Sequence, residues 1–349
     1  MMKHLVQGNE AFFLGTLKAG ASFFAGYPIS PSTEVLVMAA EQSVKDPNFR
    51  FIQSEDELAA ANAIIGASLA GAKSFTATSG PGFTLMQEAI GYAHEVEVPT
   101  VFLNIQRVGP ATGMPTMPAQ QDIVQTNYGS SGDYYPLAFY PNSVAECYRY
   151  AITAFNAAEE SLSPVVLLSD AFVGHLNEVV DLDVIKLDVI PRTRPPLGTG
   201  KRYFTGLAHD EEGNPRTADA GVYREWLTKV KARHEKVAAH YSDYEFSGNP
   251  ASDTLLISYG IVSRVVAPLG STFALFRPIR MFPMLGDELR NHAQGYEKVA
   301  VIEANDGQYA CLVERELKRN VIHVPLLGGR INLELAKQGL REKLEREVS

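Results

Sequence analysis

The chain has 349 residues, 46% of them hydrophobic and 20% charged, with 31 Lys and Arg against 40 Asp and Glu and a formal net charge of −9. This length and apolar content predict about two globular domains rather than a disordered chain. The acidic balance argues against non-specific nucleic-acid binding, which needs basic surface to displace counterions.

In chain order, the first half alternates short apolar runs with helical patterns. A strand is expected at Ala21–Ala25, ending in the turn Gly26-Tyr27-Pro28-Ile29-Ser30-Pro31-Ser32-Thr33. Ser32 or Thr33 can cap a helix from about Glu34 to Ser43. Phe49–Gln53 reads as a strand, and Glu57–Gly71 as an alanine-rich helix ending at a glycine. A strand at Ser74–Thr78 leads into Ser79-Gly80-Pro81-Gly82 and a helix from about Phe83 to His94. Thr100–Ile105 has the continuous apolar character of a strand buried on both faces. After a long loop come a strand near Leu137–Tyr140, a helix at Val144–Glu159 and a strand at Pro164–Leu168.

Between about 185 and 250 the prolines and glycines Pro191, Pro195, Pro196, Gly198 and Gly200 interrupt regular structure, and Asp219–Tyr244 has a polar helical pattern. This region reads as a linker or arm covering a surface. From Asp253 the rhythm returns. Strands are expected at Thr254–Tyr259, Thr272–Phe276, Val299–Ala304 and Val321–Pro325. Helices are expected at Val262–Leu269, Gly286–Asn291, after Asp306 and at Asn332–Glu345. The expected fold class is α/β, with two doubly wound parallel-sheet domains, 1–184 and 251–349, joined by the 185–250 arm.

Only two cysteines occur, Cys147 and Cys311. They are too few for a four-thiolate iron–sulfur site, a zinc knuckle or a disulfide framework, and the composition points to the cytoplasm. The histidines show no ligand spacing, so no metal site is expected in this chain. The first residues lack the apolar core of a signal peptide, and no run of about 18 apolar residues suggests a membrane span. Gly66–Ser74 looks like a phosphate loop, but its lysine is one residue late and it ends a helix instead of opening one. Cys147, within an amphipathic helical pattern, suits a core position better than a nucleophile.

Four segments lie at the carboxyl ends of predicted parallel strands, the edge where open α/β sheets bind ligands. Tyr27–Thr33 offers hydroxyls on a proline-stiffened loop, or simply a turn with a helix cap. Ser54-Glu55-Asp56-Glu57 places acids at a helix start, where they complement the dipole. Because the following turns are small and apolar, Glu57 also suits a buried carboxyl that holds a proton for a ligand nitrogen. Ser79–Thr84 either lets backbone approach a ligand or makes a plain strand-to-helix turn. Arg107, directly after a strand in Gln106–Gly113, suits either a carboxylate fork or a structural ion pair.

Taken together these segments resemble the α subunit of 2-oxoacid:ferredoxin oxidoreductases, most of all the 2-oxoglutarate enzymes. The family's Tyr-Pro-Ile-Thr-Pro-Ser stands here as Tyr27-Pro28-Ile29-Ser30-Pro31-Ser32. The segments Glu55–Ala60 with Gly66-Ala67, Ser79–Gly82, Arg107–Thr116 and Phe204–Gly213 extend the likeness in order along the chain. The resemblance implies thiamine diphosphate as cofactor, with Glu57 as the catalytic glutamate at the aminopyrimidine N1′ and Pro28, Ile29, Ser79 and Gly80 also at the cofactor. It implies that Ser30, Arg107 and Thr112 bind the 2-oxoacid, Ser30 keeping the hydroxyl of the usual threonine. It implies a β subunit supplying Mg²⁺, the diphosphate site and [4Fe–4S] clusters, together with a separate γ subunit, ferredoxin and CoA. The Ala111–Asp122 run looks closest to 2-oxoglutarate enzymes, then branched-chain, then pyruvate ones. A non-redox thiamine enzyme and a non-catalytic assembly subunit are the alternatives.

Overall fold

The computed structural model of the chain describes residues 3–199 and 202–348. The first of its sheets runs, in spatial order, Arg280–Phe282, Leu137–Phe139, Pro164–Asp170, Thr100–Val108, Ser74–Thr78, Phe23–Gly26 and Arg50–Gln53. Its neighbours pair parallel except at the Arg280–Phe282 edge, which runs antiparallel to Leu137–Phe139. Met114–Pro118 folds back antiparallel on the end of Thr100–Val108. Strand side chains alternate between two apolar clusters. Val101, Leu103 and Ile105 join the helices Gly8–Lys18, Thr33–Lys45 and Val144–Ser161 on one face, while Phe102 joins Glu57–Leu69 and Gln87–Glu95 on the other. Covering both faces explains why this strand reads as an unbroken apolar run.

The winding opens the crevice that holds the site. From Phe23–Gly26 the chain crosses over one face through Thr33–Lys45, whose Val35, Leu36 and Ala39 are buried there, to the edge strand Arg50–Gln53. It returns over the opposite face through Glu57–Leu69, whose Ala60, Ala61, Ile64 and Ile65 are buried there, to Ser74–Thr78 on the other side. The connections leaving the carboxyl ends of the neighbours Phe23–Gly26 and Ser74–Thr78 go to opposite faces, Thr33–Lys45 to one and Gly80–Leu85 with Gln87–Glu95 to the other, which makes a topological switch point between them.

The second sheet runs Tyr244–Gly248, Ala274–Pro278, Thr254–Ile257, Lys298–Glu303 and Ile322–Pro325. It is parallel except for the Tyr244–Gly248 edge. Strands are therefore exchanged across the segments read from sequence: Tyr244–Gly248 lies in the stretch read as arm, and Arg280–Phe282 completes the first sheet. A two-stranded antiparallel pair, His4–Gln7 with Asn177–Val180, and the buried helix Gly8–Lys18 have no counterpart in the sequence reading.

Most of 185–219 runs without regular structure across the first domain, followed by the 21-residue helix Ala220–His240. Arg192 pins this stretch, donating to Glu159 Oε1 and the Ser68 carbonyl, both at 2.9 Å. Lys73 Nζ donates to the carbonyls of Ala19 at 2.8 Å and Ile190 at 2.5 Å. The lysine that mimicked a phosphate loop thus tethers the arm. Cys147 is fully buried, and burial pushes its thiol well above the usual range. No described helix is long and apolar enough to cross a membrane.

Candidate active site

Glu57 is the first residue of its helix and is only 6% exposed. Asp56 caps that helix, its carboxylate accepting from the Ala59 N–H at 2.7 Å, so the cap does not need Glu57. Burial raises the Glu57 carboxyl above its ordinary value, neighbouring Asp56 adds to the rise, and Arg107 opposes it. Across from it lies Gly82, in the helix Gly80–Leu85. A Cβ there would fall 2.4 Å from Glu57 Oε1 and 2.2 Å from Thr78 Oγ1, so only glycine leaves room for the carboxyl. The hydroxyls of Thr78 and Ser79 are buried without a hydrogen-bond partner. A buried carboxyl raised above its ordinary value, two unpaired hydroxyls and an open backbone converge at the switch point. This arrangement suits a flat heterocycle with a basic ring nitrogen.

Beyond it a cleft of about 550 Å³ is lined by Gly80, Thr84, Arg107, Asp122, Asp306 and Gln308, among others. Arg107 lies inside the strand Thr100–Val108 instead of in the loop after it, because Met114–Pro118 pairs back and extends the strand. It is 6% exposed, donates from Nη1 to the Ser30 carbonyl at 2.7 Å, and keeps a buried Nε without partner. Both Asp122 and Glu57 lie within its electrostatic reach. Arg107 is thus not consumed by a bidentate ion pair, and its guanidinium is open to an anion.

The remaining sequence candidates are spread around this centre. Pro28 and Ser30 are exposed and Ile29 half-buried on the loop after Phe23–Gly26, and Ser30 meets Arg107 through its carbonyl. Ser32 occupies the helix cap position, yet its hydroxyl turns back to donate to the Ile29 carbonyl at 2.9 Å. Ser79 and Gly80 stand at the carboxyl end of Ser74–Thr78, and the helix there begins at Gly80, three residues before the expected start. Thr112 is exposed at the outer turn of the arginine loop, away from the lining of the cleft.

Several residues of the cleft escape sequence reasoning. Asp122 Oδ2 accepts from Asn104 Nδ2 at 2.9 Å, and the Asp122 N–H donates to Gln106 Oε1 at 2.8 Å. Gln308, from the second domain, accepts from the N–H groups of Ile123 and Val124 at 3.0 and 3.1 Å and donates to the Gln121 carbonyl at 2.5 Å. Gln120 is held by the Tyr259 carbonyl and the Ala304 N–H, at 2.8 and 2.9 Å. Gln121 Oε1 in turn accepts from the Gly109 N–H at 2.6 Å. The wall facing Arg107 is therefore stapled to the second domain by a chain of glutamines. Asp122 and Gln121 stood in the run that marked the resemblance, but nothing in the sequence connects them to a glutamine so distant.

Comparisons with known proteins give the family. A family model described as pyruvate flavodoxin/ferredoxin oxidoreductase, thiamine diphosphate-binding, matches residues 14–244. The 2-oxoglutarate synthase subunit KorA of Archaeoglobus fulgidus is 40% identical over 90% of this chain and 92% of its own length. The ketoisovalerate oxidoreductase subunit VorB of Methanothermobacter thermautotrophicus is 31% identical, covering 88% of each. A structure of 2-oxoglutarate:ferredoxin oxidoreductase from Magnetococcus marinus, with 2-oxoglutarate, coenzyme A and succinyl-CoA bound, superposes with a TM-score of 0.90 at 28% identity. It covers 98% of this chain, which spans 65% of that one. The chain belongs to the pyruvate flavodoxin/ferredoxin oxidoreductase family and carries its thiamine diphosphate-binding domain.

Proposed function

We propose that the chain is the α subunit of a 2-oxoglutarate:ferredoxin oxidoreductase, which converts 2-oxoglutarate and CoA to succinyl-CoA and CO₂ while reducing ferredoxin, or runs the reverse carboxylation. The observation that carries this reading is the buried carboxyl of Glu57, raised above its ordinary value and within electrostatic reach of Arg107, whose guanidinium is engaged in no ion pair among the described residues. The greater likeness to KorA, 40% against 31% for VorB, supports 2-oxoglutarate over branched-chain substrates.

Thiamine diphosphate, when bound, supplies the carbanion and the electron sink that decarboxylation of a 2-oxoacid needs. In this reading Glu57 would hydrogen-bond the pyrimidine ring nitrogen of the bound cofactor and hold a proton there. Ser79, Gly80, Pro28 and Ile29 border the ring, and the unpaired Thr78 and Ser79 hydroxyls await its polar atoms. Arg107 takes the substrate carboxylate, and Ser30 borders the same place. Thr112, exposed on its turn, acts only if the arginine loop folds inward. The division at about 184 and 250 makes a pyrimidine-binding domain, an arm and a transketolase C-terminal-like domain.

The rest of the machinery comes from partners. A β subunit supplies Mg²⁺, the diphosphate site and iron–sulfur clusters, a γ subunit completes the complex, and ferredoxin receives the electrons in the cytoplasm. The test is co-expression with the β and γ subunits followed by viologen reduction. Reduction dependent on both 2-oxoglutarate and CoA supports the reading; no reduction with any 2-oxoacid overturns it, and a preference for 2-oxoisovalerate overturns the substrate.

A further inference from the structure

Asp122 is placed as no purely structural aspartate needs to be. Its helix, Ile123–Tyr128, is not capped by its side chain. Its backbone is locked between Gln106 Oε1 on one side and the Gln308 staple on the other. The carboxyl thus hangs from a fixed backbone on the cleft wall, where a single side-chain donor, Asn104 Nδ2, holds it. The charge facing it comes from Arg107 on the adjacent strand. The other titratable groups around it are Glu57 beyond Arg107, Asp306 from the second domain on the same cleft, and Tyr140 behind. Burial raises the Asp122 carboxyl to about 6 even with Asn104 and Arg107 pulling it down.

Arg107 stands in the field of two acids, Asp122 and Glu57, and lines the same cleft as Asp122. With Glu57 protonated in the proposed function, an ionised substrate carboxylate at Arg107 would face an ionised Asp122 in a poorly solvated site, where like charges disfavour each other's ionisation. Resting on the assignment of Arg107 as the carboxylate site, we propose that the 2-oxoacid carboxylate takes over the positive field of Arg107 that Asp122 shares across the cleft, and that Asp122 takes a proton from solvent as substrate binds. The cleft then binds substrate and proton together, and the new Asp122 O–H becomes a donor facing the bound oxyacid.

The linkage has a definite sign. Below the free-state value of Asp122 the proton is already present, and above the bound-state value it is never taken up. Between the two, each pH unit upward weakens substrate binding by up to about tenfold.

The test uses the complex of this chain with its β and γ subunits, loaded with deazathiamine diphosphate so that 2-oxoglutarate binds without reacting. Calorimetric titration in buffers of different ionisation enthalpy counts the protons taken up. Wild type is expected to take up close to one proton near neutral pH, with Kd rising as pH rises. Asp122→Asn should take up almost none and show a flat Kd. No uptake in wild type overturns the inference without reference to any variant, and so does undiminished uptake in Asp122→Asn, which would assign the proton to Glu57 or the cofactor. Arg107→Met separates the two readings. Unchanged 2-oxoglutarate affinity in that variant overturns the Arg107 assignment and this inference with it; weakened affinity combined with undiminished uptake in Asp122→Asn overturns only the role of Asp122.

Discussion

Replacing Gly82 with alanine tests the cradle around Glu57 without touching any chemical group. The added methyl would sit 2.4 Å from Glu57 Oε1 and 2.6 Å from its Cγ, where ordinary contact begins near 3.4 Å. On the other side Thr78 Oγ1, at 2.2 Å, belongs to a strand buried along its whole length and cannot retreat. The Glu57 side chain must therefore yield by about 1 Å, and a misplacement of that size costs on the order of 10²-fold in rate. Overpacking costs about 1–3 kcal/mol, while the gain in helix propensity from Gly to Ala returns about 1 kcal/mol. The fold should survive with a net loss of up to about 2 kcal/mol. Thermal denaturation of the complex, thiamine diphosphate titration and viologen reduction at saturating substrate separate the effects. Wild-type turnover with unchanged cofactor affinity in Gly82→Ala would refute the placement of Glu57 at the reacting cofactor.

Three further predictions follow from the same geometry. Because burial raises the Glu57 carboxyl, its contribution to stability is complete below its unfolded value and is lost as pH rises through its folded one. Glu57→Gln should therefore flatten the decline in melting temperature from pH 4.5 toward neutrality while abolishing turnover; a parallel decline in both proteins would count against it. Arg107→Ala should raise KM for 2-oxoglutarate by about 10–100-fold, the worth of a charge-assisted hydrogen bond, with KM for CoA little changed. Equal rises for both substrates would remove Arg107 from the carboxylate. Gln308→Ala leaves the Ile123 and Val124 N–H groups unpaired and should destabilise the complex by about 1–3 kcal/mol in denaturant titration. Gln308→Glu, which keeps the oxygen that accepts from both N–H groups and loses only the donor to the Gln121 carbonyl, should lose less.

How far the sequence reaches depends on the range of the interactions. The parallel strands of the first sheet were legible because both faces are covered, which leaves unbroken apolar runs. The burial of Glu57 is legible because it opens a helix whose next turns are small and apolar, although an acid there also complements the helix dipole. Arg107 was identified but set one element too late, since extension of its strand depends on the return of Met114–Pro118. The helix Gly8–Lys18 was passed over because Phe12 and Phe13, Gly8 and Asn9, and Gly15 and Thr16 are all buried, leaving no polar face to give a period. Gln308 was beyond reach, as its partner Ile123 lies 185 residues away and ordinary glutamine gives no local signal.

The strand Arg280–Phe282 carries a consequence for handling the protein. It lies against Leu137–Phe139, whose three residues are fully buried. A fragment ending near residue 250 would keep Glu57 and Arg107, lose the Asp306 and Gln308 side of the cleft, and bare an apolar strand edge, the surface from which chains associate edge to edge. Shortened forms should therefore self-associate, and a chimera that exchanges the second domain between relatives must bring along a strand matched to the recipient's Leu137–Phe139 edge.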